Sequence, residues 1–532
     1  MKKSIKYAAS FILTGCMILA GCGQGAAPAA SGSSAAASSG AAAEAAAKKP
    51  VPVVTTTVHN LFDKKTKGYA LESTFDTIRL DDESAKAYPG LNDALKAFSE
   101  NYLKQQDELV EETKKDPDVA TVIKNGMHYE VNASVEIMRA DEEVFTILYE
   151  NYSFLGGPHP NTVATLKSFD TKTGKELALT DVVKSKKDLL EAVKKSLKEE
   201  YKEVEFNDLD KSMKDYEDGK AELNWGVTNN GITVYFNPYD LAAYAFGPQS
   251  VAYAYAQKKD LFTEGYKDAS GSCTIYLATG VPHYIDLYRT GNYLKFLVQG
   301  HYDEENEHYD SLTVSCDNKS YKLDNKVFHN YYSKILHTKD NKDYIYVFTT
   351  GYSDVKETLV FEIKEGDIDY CGAADASEPG VYVKDESGEV VNPEIDYENK
   401  YQYETVVIVD PDDFKMQTRV DAMSTYHIVR PYKINADGVP EPAEEFGTAS
   451  ETITLTAKED ITGKTVDIDK NELKDDVTIK KGDKITIYRT NGKDTVIFKT
   501  ESGGYVGLQY KDGDKVNGKP IEDLFENLFF AG

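Results

Sequence analysis

The stretch "EEVFTILYENYSFLGGPHPNTVATLKSFD" (Glu142–Asp170) decides how the first part of this 532-residue chain folds. Apolar and polar residues alternate on both sides of "LGGPHP" (155–160), which is the pattern of two strands joined by a turn. The turn is forced, because glycine permits unusual backbone angles and proline fixes φ. "HYEVNASVEIMRA" (128–140) alternates in the same way. The three segments therefore predict successive antiparallel strands.

Amphipathic helices are predicted on both sides of these strands. In "LNDALKAFSENYLKQQDELVEE" (91–112) apolar residues recur at three- and four-residue steps and form one stripe. The residues of this stripe are Leu91, Leu95, Phe98 and Tyr102. "SKKDLLEAVKKSLKEEY" (185–201) begins with Ser185 and Asp188 at the spacing of a capping box. Asn230-Gly231 between two alternating runs predicts a hairpin.

Three spaced motifs in this region resemble a known family. They comprise a Gly-Gly-x-His turn, a Phe-Asp-x-x-Thr-Gly-Lys hairpin and a Phe-x-Pro-Tyr-x-Leu-Ala stretch. The matching residues are Gly156, Gly157 and His159; Phe169, Asp170, Thr173, Gly174 and Lys175; and Phe236, Pro238, Tyr239, Asp240, Leu241 and Ala242. In this order they resemble the RsiV-type extracytoplasmic domain, which occurs in a lysozyme-sensing anti-sigma factor and in peptidoglycan deacetylases of the PdaC type. The resemblance implies an α+β fold and recognition of lysozyme or wall glycan.

The resemblance and the loop together provide a set of candidate ligand-binding residues. These are Tyr152, Gly156, Gly157, His159, Asn161, Asn237 and Tyr239. A catalytic His159 would need a partner carboxylate and a pocket, but its sequence neighbours are glycine and proline. A structural role in the loop, a binding contact and catalysis all stay open for this histidine.

The sequence departs from the resembling enzymes where their chemistry is carried out. In the deacetylases a separate domain holds the metal through Asp-Asp and His-x-x-x-His motifs, and this chain lacks the second of them. "HYDEENEHYD" (301–310) could be a weak metal site or a solvated acidic hairpin tip. We therefore expect no catalytic residues, no metal and no cofactor, although a wall-modifying enzyme stays an alternative.

The C-terminal half has a different pattern. Strand follows strand from about 271 to 435 with no long amphipathic helix, which predicts a mostly β middle that is either propeller-like or a sandwich. Short strands with glycine turns after 451 resemble a bacterial SH3-like module, with an apolar ending that we expect to dock on it. That ending consists of Leu524, Leu528, Phe529 and Phe530.

The N-terminus predicts export and lipid attachment. Three lysines precede a short apolar run that is typical of a signal peptide. Leu19-Ala20-Gly21-Cys22 matches the bacterial lipobox, in which the cysteine is diacylated. The following "GQGAAPAASGSSAAASSGAAAEAAAKK" is typical of a flexible tether. The chain is thus predicted to lie on the outer face of a bacterial cell membrane.

The predicted divisions make this a multidomain chain. In order they are signal peptide and lipobox (1–22), tether (23–52), first half of the RsiV-like α+β region (53–150), RsiV-type domain (151–264), β-rich domain with linker (265–450) and SH3-like domain (451–532). The α+β region is expected to hold an antiparallel sheet with packed helices. Cys273, Cys316 and Cys371 either include one disulfide or are free thiols.

The net charge of the chain limits the classes of partner that its surface attracts. The formal net charge is −28, and the three lysines of the first 21 residues leave −31 for the rest. Such a surface repels nucleic acid and attracts cationic partners. The sequence therefore predicts a lipid-anchored envelope protein that binds lysozyme or another cationic wall-active partner. Binding of peptidoglycan is the alternative, favoured by the SH3-like end.

Overall fold

The computed structural model describes residues 48–63, 68–266, 269, 271–288, 290, 292–352, 355–383, 398–511 and 515–531. The predicted signal peptide, Cys22 and most of the predicted tether lie outside the described residues. Within them, the fold is mostly β, has few helices and contains several sheets.

Of the α-helices in the described residues, all but one lie in the first part of the chain. Its elements are β1 (Pro52–Asp63), β2 (Gly68–Leu80), α1 (Asp82–Ala87), α2 (Pro89–Thr113), α3 (Val119–Lys124), β3 (Tyr129–Ala140), β4 (Val144–Phe154), β5 (Asn161–Asp170), α4 (Leu179–Val182), α5 (Lys186–Glu200), α6 (Leu209–Glu217), β6 (Asn224–Val227), β7 (Gly231–Phe236), a 3₁₀ turn (Tyr244–Phe246) and β8 (Gln249–Ala254).

The second part is built of strands. They are β9 (Cys273–Leu277), β10 (His283–Ile285), β11 (Leu294–Asp303), β12 (His308–Cys316), β13 (Lys319–Phe328), β14 (Asn330–His337), β15 (Asp343–Thr350), β16 (Lys356–Lys364), β17 (Asp367–Ala374), β18 (Gly380–Val383), β19 (Glu398–Val406), β20 (Phe414–Asp421) and β21 (Thr425–Ile434). The C-terminal elements are β22 (Pro440–Pro442), β23 (Gly447–Ala449), β24 (Thr454–Ala457), β25 (Ile461–Asp467), β26 (Glu472–Ile479), β27 (Lys484–Thr490), β28 (Thr495–Thr500), β29 (Tyr505–Lys511), β30 (Lys515–Val516), β31 (Lys519–Pro520), α7 (Ile521–Leu524) and β32 (Phe525–Glu526).

The first sheet has seven strands in the order β18-β19-β1-β2-β3-β4-β5. The prediction of an antiparallel sheet is wrong at one pair, because β2 and β3 run parallel. Helices α1, α2 and α3 lie between these two strands in the sequence. They return the chain to the end of the sheet at which β2 begins, as a connection between parallel strands requires. Two strands come from far along the chain, and Val53 of β1 faces Val406 of β19. The sheet thus takes strands from both sides of the predicted boundary at 264.

Helix α2 covers one face of this sheet. Leu91 and Leu95 of the predicted stripe are fully buried in a cluster that includes Ile78 and Phe145. Polar side chains of the helix satisfy the backbone beneath it: the Ile78 N–H donates to Ser99 Oγ at 2.8 Å. The helix is therefore fixed to the sheet by both apolar contacts and hydrogen bonds.

The opposite face of the first sheet supports a small α+β unit. Helix α5 begins where the Asp188 N–H donates to Ser185 Oγ at 3.2 Å, as the capping spacing predicts. The helix buries Leu189, Val193 and Leu197 against the three-stranded sheet β6-β7-β8. This three-stranded sheet lies against β5. Side chains from this unit form hydrogen bonds with the backbone at the free edge of β5.

The middle of the chain is two sheets packed face to face. The four-stranded sheet β10-β11-β12-β13 and the five-stranded sheet β17-β16-β15-β14-β9 share one apolar core, which is the arrangement of a sandwich. Cys316 lies in this core, and Cys316 and Cys371 are free thiols, so the three cysteines do not bond with one another. On the other face of the five-stranded sheet, Lys334 and Glu378 form a buried ion pair at 2.6 Å.

The C-terminal strands lie side by side in the order β27-β28-β29-β25-β26. Strand β23 pairs with both β27 and β21 and so connects them to the preceding strands. In the described residues these pairings do not close into a ring. The apolar ending docks only in part. Leu524 is buried, but the rings of Phe529 and Phe530 are 60% and 50% exposed, contrary to the expectation. Backbone bonds hold this segment instead, with the Thr425 N–H donating to Phe529 O at 2.7 Å.

Candidate functional site

The loop between β4 and β5 has the forced geometry that its sequence predicts. Gly156 adopts φ +77°, a left-handed conformation that residues with a Cβ rarely take. Gly157 does not have a positive φ, and a Cβ there would meet only His159 O at 3.7 Å, an ordinary contact, so its conformation does not depend on being glycine. Leu155 and His159 both point to solvent from this loop.

His159 lies in an exposed cluster of three rings. Its ring stacks on Tyr244 with centroids 3.8 Å apart and planes 17° apart. Its Nδ1 lies 2.8 Å from Pro160 O and its Nε2 3.0 Å from the Tyr239 hydroxyl. Because the carbonyl can only accept, Nδ1 donates its proton there and Nε2 accepts from the tyrosine. We call His159, Tyr239 and Tyr244 the ring cluster.

The backbone of Tyr239 is strained. It has φ +76°, which costs a non-glycine residue about 1–2 kcal/mol. A neighbouring turn holds it in place, since the Asn237 N–H donates to Asp240 Oδ2 at 2.7 Å. The ring gains little from burial, because it is 55% exposed. Strain without burial indicates a role at the surface.

Asn237 is occupied within the fold. Its Oδ1 accepts from the Ala164 N–H at 2.7 Å and its Nδ2 donates to Ala164 O at 3.1 Å. Asn224 does the same beside it, accepting from Leu166 N–H at 2.9 Å. The two amides satisfy the free edge of β5, which would otherwise expose unpaired backbone groups.

The remaining candidates lie on opposite faces of the β4–β5 pair. Tyr152 is on the face of the ring cluster; burial, and then the charges of Glu130 and Tyr244, raise its pKa. Asn161 lies opposite Ser153 and lines a groove on the face of α2. The structure thus brings His159 and Tyr239 together but separates Asn161 from them. Sequence reasoning missed Tyr244, whose signal was its place five residues after Tyr239 in a tyrosine-rich run.

Three carboxyl groups lie on the central strands of the first sheet, facing away from α2. Burial, and then the charge of Glu150, raise the pKa of Glu136 to about 8. Burial also raises the pKa of Glu150, and it raises that of Asp76 to about 6 despite hydrogen bonds from Thr56 and the Val135 N–H. Burial raises the pKa of Tyr276 from β9 as well, with smaller contributions from these carboxylates. Sequence alternation places such acids on a polar face but cannot show that a second sheet desolvates them.

The acidic segment 301–310, which the sequence offers as a possible metal site, lies in a separate part of the fold. His301 pairs with Asp310 at 3.0 Å on the outer sheet of the sandwich. The described part of the chain contains no group of three or more His, Cys, Asp or Glu side chains placed to hold a metal ion. Within the same residues, no helix is both long enough and apolar enough to cross a membrane.

Comparison with known proteins gives a partial match. Residues 179–253, which include Asn237, Tyr239 and Tyr244, match the family described as protein of unknown function (DUF3298). Over 183 residues the chain is 26% identical to the peptidoglycan-N-acetylmuramic acid deacetylase PdaC of Bacillus subtilis (strain 168). That match covers 34% of this chain and 37% of PdaC, so little more than a third of the relative is represented.

Two solved structures of DUF3298 family proteins are also similar. The one from Bacteroides fragilis is 19% identical, with 40% of this chain and 94% of that chain covered and a TM-score of 0.30. The one from Pseudomonas aeruginosa is 14% identical, with 41% and 96% covered and a TM-score of 0.27.

Proposed function

We propose that this chain is an extracytoplasmic binding protein of the bacterial cell envelope, anchored to the membrane by lipid on Cys22. The lipobox, the DUF3298 match and the similarity to a peptidoglycan deacetylase support this location. The last residues of the segment predicted as a tether are held to the folded part. Lys49 is buried there, and its Nζ donates to Ser272 Oγ at 2.9 Å and lies 3.3 Å from Asp410.

The ring cluster is the proposed contact surface, and the strained, exposed Tyr239 is the observation that carries the proposal. Tyrosine combines a large apolar ring with a polar hydroxyl and loses little entropy on binding. A positively charged side chain can lie over such a ring. The net charge of −28 attracts cationic proteins from a distance. We propose a cationic wall-active protein such as lysozyme as the partner and non-covalent binding, without a cofactor, as the activity.

Calorimetric titration of the detergent-solubilised full chain with lysozyme tests the proposal. Tyr239→Asn removes the ring but suits the left-handed backbone, since asparagine tolerates positive φ. We expect binding about 10- to 100-fold weaker, as for an aromatic residue at the centre of an interface. Tyr352→Asn is the matched control, because Tyr352 is 60% exposed on a different part of the chain. No association at low salt, or equal effects of the two variants, would refute the proposal.

The C-terminal strands support a second candidate function, binding of peptidoglycan through the SH3-like module. Tyr488 and Tyr505 form a partly exposed ring pair with centroids 5.0 Å apart, and Arg489 lies 5.3 Å from the first ring. Sedimentation with purified sacculi tests this function. A Tyr488→Ala/Tyr505→Ala double variant should leave the protein in the supernatant, whereas Tyr239→Asn tests the other surface separately.

A further inference from the structure

The groove on the α2 face of β4 and β5 is separate from the ring cluster. Its floor consists of three facing pairs: Tyr149 with Thr165, Asn151 with Val163, and Ser153 with Asn161. Side chains alternate along a strand, so these residues point away from the face that supports the ring cluster. The ring of Tyr102 from helix α2 forms one wall. The groove has a volume of about 280 Å³.

The groove is polar but uncharged. Asn151, Ser153 and Asn161 supply amide and hydroxyl groups, and none of the described residues that line the groove carries a carboxylate, ammonium or guanidinium group. Within the described residues, the side chains of these three form no hydrogen bond with another part of the chain. Asn237, on the other face, has both of its amide atoms engaged. The groove thus offers several unused neutral donors and acceptors at one place.

Aromatic packing fixes the wall of the groove. The Tyr102 ring lies on the Tyr149 ring with centroids 3.8 Å apart, and Phe98 meets Tyr149 edge-on at 5.5 Å. Tyr149 itself is 2% exposed, whereas Tyr102 is only half-buried. Tyr102 therefore presents the surface of an aromatic ring, fixed in position by this packing, beside the free amides. A flat apolar surface with convergent neutral hydrogen-bonding groups suits a ligand that has an apolar face and a hydroxylated rim.

We infer that this groove binds an uncharged saccharide, with one pyranose ring against Tyr102 and an acetamido group between Asn151 and Asn161. Its volume is just below the range of about 300–1,000 Å³ typical of pockets for whole small molecules, so it takes a single sugar unit of a longer chain. The strong negative charge of the protein disfavours anionic ligands, and a neutral sugar avoids this repulsion. The inference goes beyond the proposed protein partner, since it concerns another ligand and the other face of β4–β5.

Calorimetric titration of the full chain with chitotetraose, in parallel with cellotetraose, tests the inference. We expect chitotetraose to bind with a Kd below about 1 mM and cellotetraose, which lacks acetamido groups, to bind about tenfold more weakly. Asn161→Ala should weaken chitotetraose binding about 3- to 10-fold, the loss expected for one neutral hydrogen bond. Val163→Glu should abolish it by placing a charge on the groove floor.

The controls keep folding defects apart from loss of the site. Val163 is 41% exposed, so its replacement removes no core contact, and Val355→Glu changes a residue 49% exposed elsewhere on the chain. The Val355 variant should bind chitotetraose like the unaltered protein. Absence of chitotetraose binding, or equal binding by the Val163→Glu and Val355→Glu variants, would overturn the inference. Equal affinity for cellotetraose would overturn the acetamido contact.

Discussion

Replacement of Glu136 by glutamine should stabilise the protein in a pH-dependent way. Glu136 lies on β3 among carboxyl groups of neighbouring strands, and its pKa rises from 4.5 to about 8 on folding. Burial is the first cause and the charge of Glu150 on β4 is the second. Glutamine has nearly the same shape as the protonated acid but cannot ionise. The variant therefore removes the cost of keeping Glu136 protonated without leaving a cavity.

The sign and size of the effect follow from proton linkage. Below pH 4.5 the acid is protonated in both the folded and the unfolded chain, so the free energy of unfolding is unaffected. Between pH 4.5 and 8 the unfolded chain releases the proton while the folded chain keeps it, so stability falls as pH rises. At about 1.4 kcal/mol per pH unit, the cost at pH 7 reaches about 3 kcal/mol. Glu136 is only half-buried, so solvent screening reduces the expected gain at pH 7 to about 1–3 kcal/mol.

Because the chain has a single tryptophan, its fluorescence follows the unfolding of one region. Trp225 lies on β6 of the three-stranded sheet, which packs against β5 of the seven-stranded sheet that contains Glu136, so its fluorescence during urea unfolding reports on this region. Glu136→Gln should raise the urea midpoint at pH 7 and leave it unchanged at pH 4. Glu203→Gln, which changes an exposed acid between α5 and α6, should have no effect at either pH. An equal gain at both pH values, or a loss at pH 7, would contradict the assignment of a desolvated Glu136.

Three further outcomes are expected. Lys334→Met should leave the buried Glu378 without its cation and destabilise the protein by about 3–5 kcal/mol, measured by calorimetry. Lys334→Met/Glu378→Gln should restore much of the loss if the ion pair is the cause, because glutamine keeps an acceptor for the Tyr332 hydroxyl and the Ile408 N–H. Asn237→Ala should unpair the Ala164 backbone at the edge of β5 and lower the free energy of unfolding by about 1–3 kcal/mol, followed by tryptophan fluorescence. Cys22→Ala should abolish incorporation of labelled palmitate in cells, and undiminished labelling would contradict the lipid anchor.

Features of the first part that depend on neighbouring residues could be read from the sequence. The cap at Ser185 and the stripe of α2 are local, because both depend on residues three or four positions apart. The turn at Asp170 is local too: its Oδ1 accepts from the Thr173 N–H at 2.8 Å, and Gly174 takes φ +71° close against Gly90. The periodicity of a segment carries this information without reference to the rest of the chain.

Long-range pairing could not be read in this way. One of the two partners of β1 is β19, about 350 positions away, and alternation within each strand gives no sign of which strand it joins. The same limit applies to Glu136. Alternation places it on a polar face, but its loss of solvent depends on strands such as β9 that return from elsewhere in the chain. The position of the exposed Phe529 likewise depends on residues about a hundred positions away, because its backbone carbonyl accepts from the Ser424 hydroxyl and the Thr425 N–H.

The register of β5 links the two proposed surfaces. Successive side chains of a strand point to opposite faces, so a slip of one residue against β4 would turn Asn161 and Val163 out of the groove. The amides of Asn224 and Asn237 oppose such a slip, because each bonds to particular backbone atoms of β5. Both amides, with Tyr239 and Tyr244, belong to the segment that matches DUF3298, whereas the groove residues lie before it. The matched segment thus supplies two rings of the ring cluster and also holds the strand on which the groove depends, which gives Asn237 an indirect role in both.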